Sequence, residues 1–158
     1  MPHRNLTLSP ALRPEHERLI DALAGSWTAT EREGPPLSAT ERVRSGFTHN
    51  RPAMGGLYLI NDYAQHDSDG RLTFEGHGIY GYDAQAGNYT MQWFDSQAAQ
   101  GGAVVAGHWQ GDTLRFEVPG RVRYEYEVRD RDEYVFRIWV LVGDTWQLGM
   151  EGGYVRVG

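Results

Sequence analysis

The sequence predicts an all-β protein, an up-and-down antiparallel barrel of about ten strands closed at one end by a short N-terminal helix. Three observations predict it. After Gly25 no helical period recurs, and residues alternate in character almost to the C-terminus. Turn signals then interrupt the chain at short intervals: Gly34-Pro35-Pro36, Asn50-Arg51-Pro52, Asp67-Ser68-Asp69-Gly70, Ala86-Gly87-Asn88, Gln100-Gly101-Gly102, Gly111-Asp112, Pro119-Gly120, Asp130-Arg131 and Gly143-Asp144. Glycines inside the runs (Gly76, Gly78, Gly107, Gly149) suit the bends and bulges of a strongly curved sheet. A sandwich would need longer Greek-key crossovers, and few are visible.

In chain order, residues 1–12 read as an irregular lead-in and 13–158 as one domain. Pro14 suits a first helical turn, Glu15 and Glu17 favour its positive end, and Leu19, Ile20 and Leu23 form one apolar stripe before Gly25. The run Gly76–Asp95 reads as a hairpin in which Tyr82 faces Tyr89, Tyr80 faces Met91 and Gly78 faces Trp93. Rings then meet smaller or more flexible neighbours. Val105, Gly107 and Trp109 pair with Leu114, Phe116 and Val118, and Val122, Tyr124 and Tyr126 point inward between charged neighbours. On the last strand Trp146, Leu148 and Met150 are expected inside.

The run Glu133–Leu141 is apolar on both faces. A two-residue turn at Gly143-Asp144 sets Trp139 beside Leu148 and Arg137 beside Met150, which puts Arg137 in the lumen; a longer turn would reverse it. The same parity puts Trp27, Ala29, Glu31, Glu41, Val43, Phe47 and Asp95 on or near the inner face. An arginine there calls for a carboxylate partner.

The formal charge of -6 disfavours a nucleic-acid groove. All 15 basic residues are arginine, so no lysine Schiff base can form, and the lack of cysteine removes disulfides and thiolate chemistry. The N-terminal segment has no apolar core of a signal peptide and no stretch could span a bilayer, so a soluble cytoplasmic protein is expected. The six histidines (His3, His16, His49, His66, His77, His108) show no HxH or HExxH spacing, and no metal is expected. No GxSxG elbow occurs, and the Gly-Gly pairs do not open helices as phosphate cradles do.

Gly25-Ser26-Trp27, the Gly78–Asp83 run GIYGYD, Tyr89 and Trp93-Phe94-Asp95-Ser96 together resemble the uncharacterised bacterial domain-of-unknown-function family 1579, with its lipocalin-like (calycin-type) barrel. The resemblance spans roughly Leu19 to Trp109 and implies a closed barrel but no agreed activity. It implies that Trp27 packs under the barrel floor, with Arg156 as its cation–π partner. Haem-binding nitrobindin-like barrels are related, but their proximal histidine lies late in the chain, whereas none follows His108 here. No cofactor is expected.

Three functions follow as expectations. The first is a non-catalytic barrel that takes a small, partly apolar molecule with an anionic group, using Tyr80, Tyr82, Trp93, Tyr124, Arg137 and Trp139. The second is a cofactor-free isomerase or lyase in the same lumen, with Arg137 holding a carboxylate, Tyr124 as acid, and Glu31 or Glu41 as base. The third is an interaction module acting through the outer wall, where Tyr58, Ile60, Ile79 and Phe94 form an apolar patch suited to a homodimer contact.

Overall fold

The computed structural model describes residues 11–97 and 101–158; most of the expected lead-in, including His3, lies outside them. Helix α1 (Pro14–Leu23) is followed by ten strands: β1 (Gly25–Glu33), β2 (Arg42–Ala53), β3 (Tyr58–His66), β4 (Leu72–Asp83), β5 (Asn88–Asp95), β6 (Val104–Gln110), β7 (Thr113–Val118), β8 (Val122–Asp130), β9 (Glu133–Val142) and β10 (Thr145–Val157). Each strand pairs antiparallel with the one before it, and β10 returns to β1, so the sheet closes and leaves no edge. The expected fold class is the observed one.

The closed end is built as its residues dictate. Leu19 and Leu23 of α1 are buried on the barrel's end with Trp27, Leu59, Leu114 and Phe116. Trp27 Nε1 donates to the Leu23 carbonyl at 2.9 Å, satisfying an orphan acceptor at the helix C-terminus. The Arg156 guanidinium lies 4.2 Å over the Trp27 ring and donates to the Ala24 carbonyl at 2.6 Å. Tyr89 fixes the other end of α1, its hydroxyl donating to the Glu15 carbonyl at 2.9 Å.

The β4–β5 hairpin has the expected register: Tyr82 with Tyr89, Tyr80 with Met91, Gly78 with Trp93 and Gly76 with Asp95. A Cβ on Gly76 would collide with the Trp93 ring, so the glycine is the space in which the indole lies.

Two expected parities are overturned. Along β10 the turn at Gly143-Asp144 does set Leu148 opposite Trp139, but a bulge at Gly149 then shifts the register and sets Met150 opposite Ile138. Phe136, Ile138 and Met150 therefore face the lumen, while Arg137 and Trp139 face outward with Trp146 and Leu148. On β2, Val43 and Phe47 are exposed (50% and 43%), and Glu41 precedes the strand in an exposed position. Arg44, Gly46, Thr48 and Asn50 take the inner face, opposite Glu31, Ala29, Trp27 and Gly25. Apolar-inward alternation fails on β2 because the lumen is polar along that wall.

Candidate ligand-binding cavity

Side chains fill the helix end, and the other half of the barrel holds a cavity of about 610 Å³. Its mouth is rimmed by Glu33, by Leu37–Ala39 from the β1–β2 connector, and by Arg42, Arg44, Asp95 and Gln97. The walls are aromatic and apolar: Phe74, Tyr80, Met91, Trp93, Tyr124, Tyr126, Phe136 and Ile138.

What sets Arg42 and Arg44 apart is their place on the cavity rim. Arg115, Arg123, Arg129, Arg137 and Arg156 each pair with a carboxylate. Among the described residues, Arg42 and Arg44 are in no ion pair, and Arg44 Nη1 reaches only the carbonyl of its neighbour Val43 at 3.3 Å. Two guanidiniums on alternate residues of one strand thus present unspent donors at the mouth.

Deeper along the β1–β3 wall is a polar cluster centred on Glu31, which is 0% exposed. Its Oε2 accepts from the Tyr63 hydroxyl at 2.5 Å and from Gln65 Nε2 at 2.8 Å, and its Oε1 accepts from the Tyr154 hydroxyl. Gln65 Nε2 also reaches the Tyr63 oxygen at 3.2 Å. Three donors hold a carboxyl group that meets no arginine, and Tyr63, Gln65 and Tyr154 stand between it and the cavity.

Below it, a relay of amides starts at the helix. Asn50 Nδ2 donates to the Leu23 carbonyl at 2.7 Å, which fixes Asn50 Oδ1 as an acceptor. Asn61 must then turn its Nδ2 toward Asn50 Oδ1 and Thr48 Oγ1. Its own Oδ1 is left buried without a hydrogen-bond partner.

Burial holds the interior phenols protonated. Tyr80 is pushed up to about 12 by burial, and its hydroxyl lies 2.6 Å from that of Tyr126. Tyr126, Tyr134 and Tyr154 are raised well above the ordinary tyrosine value, again by burial first; the Glu31 charge adds to the effect at Tyr154 and Tyr134. Tyr63 is raised by burial and then by Glu31. Tyr124 is also raised, chiefly by burial.

Of the expected ligand residues, Tyr80, Trp93 and Tyr124 line the cavity. Tyr82 lies at the helix end, edge-on to His16 at 5.9 Å and tilted against Tyr89, and is not part of the cavity lining. Arg137 and Trp139 are corrected to the outer wall. There Arg137 bridges Glu151 at 2.7 Å and Glu127 at 2.6 Å, while Trp139 is paired with Arg123 and Leu148. The constellation of Arg137, Tyr124 and Glu41 is therefore not assembled; of its candidate bases only Glu31 meets tyrosine hydroxyls, those of Tyr63 and Tyr154. Sequence reasoning missed Arg42, Arg44, Tyr63, Gln65 and Tyr154. For the two arginines the signal was the run Arg42-x-Arg44-x-Gly46-x-Thr48-x-Asn50, an alternation whose inward side is polar.

The outer patch has the expected orientation. Tyr58 and Phe94 are 39% and 42% exposed, Ile60 and Ile79 are half-buried, and Ile60 lies directly opposite Ile79. Among the described residues no cluster of three or more metal-ligating side chains occurs, and no helix is long and apolar enough to cross a membrane.

A closed ten-stranded antiparallel barrel with a largely aromatic cavity open at one end defines the class of protein. Within that class, the chain belongs to the family described as Protein of unknown function (DUF1579), matched over residues 12–156. Among solved structures, Rv2717c from M. tuberculosis is similar with a TM-score of 0.70 and 15% identity, over 94% of this chain and 100% of that one. At that identity the likeness shows the fold. No curated protein matches the chain in sequence.

Proposed function

We propose that this barrel binds a small, partly apolar molecule carrying an anionic group, with the apolar part among the lumen rings and the anion at the mouth. The observation that carries the reading is the pairing of a 610 Å³ aromatic-walled cavity with two rim arginines, Arg42 and Arg44, that are in no ion pair among the described residues, Glu33 and Asp95 sharing the rim with them. The anionic partner first expected of Arg137 is thereby reassigned to β2. Native mass spectrometry of freshly purified protein is expected to show a co-purifying mass. The double variant Arg42→Gln/Arg44→Gln is expected to lose it, or to weaken its binding by tenfold or more. A folded wild type that takes up no amphipathic carboxylate, whether co-purified or added, overturns the reading.

The outer patch supports a second proposal, a homodimer through Tyr58, Ile60, Ile79 and Phe94 on the adjoining outer faces of β3, β4 and β5. Sedimentation should give a dimer for the native chain and a monomer for Ile60→Asp/Ile79→Asp, with the circular dichroism of the barrel unchanged. The same sedimentation coefficient for both proteins rejects it.

A further inference from the structure

The cavity is chemically directional in its hydrogen-bonding groups. At the mouth, Arg42 and Arg44 offer only donors, as guanidiniums must. On the β1–β3 wall the pattern reverses. The Tyr63 and Tyr154 hydroxyls have each committed their one hydrogen to Glu31, so what they turn to the lumen is lone pairs. Gln65 has committed its amide hydrogens in the same direction, to Glu31 and Tyr63. The amide relay from the helix leaves Asn61, another lining residue, with a buried acceptor that nothing in the protein satisfies. Glu31 places a carboxyl group directly behind these acceptors.

Such a wall leaves a ligand's inner end one favourable choice. An apolar end would strip water from the acceptors and return nothing, which costs more than the bond itself contributes. An ammonium would have to be desolvated without touching Glu31, since Tyr63, Gln65 and Tyr154 stand between. A neutral hydroxyl fits: it donates to the wall, and it accepts the one hydrogen that the Tyr80–Tyr126 pair still has to give. Resting on the reading of an anion held at the mouth, we infer that the ligand is a hydroxy acid, with its carboxylate at Arg42 and Arg44 and its hydroxyl at the Tyr63–Tyr154–Asn61 wall. The Tyr154 hydroxyl lies against Gly46, two residues from Arg44 and about 7 Å along β2, while Thr48, which bonds Asn61, is four residues and about 13 Å away, so a ligand on the order of 10 Å long is suitable.

Titration calorimetry with two matched pairs of carboxylates tests this: 3-(4-hydroxyphenyl)propanoate against 3-phenylpropanoate, and 12-hydroxydodecanoate against dodecanoate. In whichever pair binds, the hydroxylated member is expected to bind tenfold or more tightly. That preference should fall below threefold in Tyr154→Phe and in Asn61→Leu; the two variants are made so that either one folding well suffices. Carboxylates that bind with no preference for the hydroxyl, or a preference unchanged in the folded variants, overturn the hydroxy-acid assignment and leave the mouth arginines in place. No binding by any of the four overturns both.

Discussion

Between about pH 10 and pH 12 the barrel is expected to unfold in one steep step, with its tyrosines ionising together as it opens. Tyr80, Tyr126, Tyr134 and Tyr154 are enclosed by the barrel wall, and burial raises each above its unfolded value. In the unfolded chain a phenol gives up its proton near pH 10, so above that pH the folded state holds protons the unfolded state has lost. Stability is then complete below pH 10 and falls as pH rises toward and through the folded values. Each retained proton costs the folded state about 1.4 kcal/mol per pH unit, and four together cost on the order of 5 kcal/mol per unit. A domain of ordinary stability, about 5–15 kcal/mol, cannot survive much more than one or two such units. Lysine would normally blur this window, but every basic residue here is arginine, whose charge persists throughout it, so the outer-wall ion pairs stay formed. Absorbance at 295 nm and far-ultraviolet circular dichroism should change together and reversibly. Phenols that titrate gradually near pH 10 in an intact barrel would show that water in the cavity already solvates their hydroxyls.

Those enclosed tyrosines also show what the sequence makes legible. Tyr80, Met91 and Trp93 could be placed because period-two alternation, a short connector and the glycines opposite the rings all demand the same hairpin. The Trp27–Arg156 contact was legible through resemblance: the Gly25-x-Trp27 form of lipocalin-like barrels implies a tryptophan under the floor with a late-strand arginine over it. Where reading failed, two physical causes operated. On β10 one extra residue at Gly149 reversed Trp146 and Leu148 relative to Met150, and with them Trp139 and Arg137 on β9; the glycine suits a bulge, but it does not say that the ladder shifts there. On β2 the rule that apolar residues face inward was the wrong prior, because that wall of the lumen is lined by Arg44, Thr48 and Asn50. A binding cavity is the place in a fold where hydrophobic alternation is expected to invert. The misread strand is accordingly the one that carries the mouth arginines and part of the amide relay.

Glu31→Ala is expected to cost about 3–5 kcal/mol in urea unfolding at neutral pH, the largest single-residue loss of the lumen. The side chain is wholly enclosed, and the fold reserves space for it: a Cβ on Gly46, across the β1–β2 pair, would collide with Oε1. Removing the carboxyl group strands the Tyr63 and Tyr154 hydroxyls and the Gln65 amide, three donors whose bonds were all directed at it. Glu31→Gln keeps the shape and one acceptor oxygen and should cost about 1–2 kcal/mol. A loss below about 1 kcal/mol for Glu31→Ala would mean that water already supports these donors and that the cluster is not a closed unit. The decisive companion is the fourfold variant Glu31→Leu/Tyr63→Phe/Gln65→Leu/Tyr154→Phe, which removes donors and acceptor together. A satisfied polar cluster replaced whole by hydrocarbon is often neutral or stabilising by about 1–4 kcal/mol, whereas breaking it halfway is not. If the fourfold variant is as stable as the native chain while its preference for a hydroxylated carboxylate disappears, stability does not account for a buried glutamate surrounded by tyrosines. The cluster then has one remaining physical role, which is to turn the lone pairs of Tyr63 and Tyr154 toward the ligand.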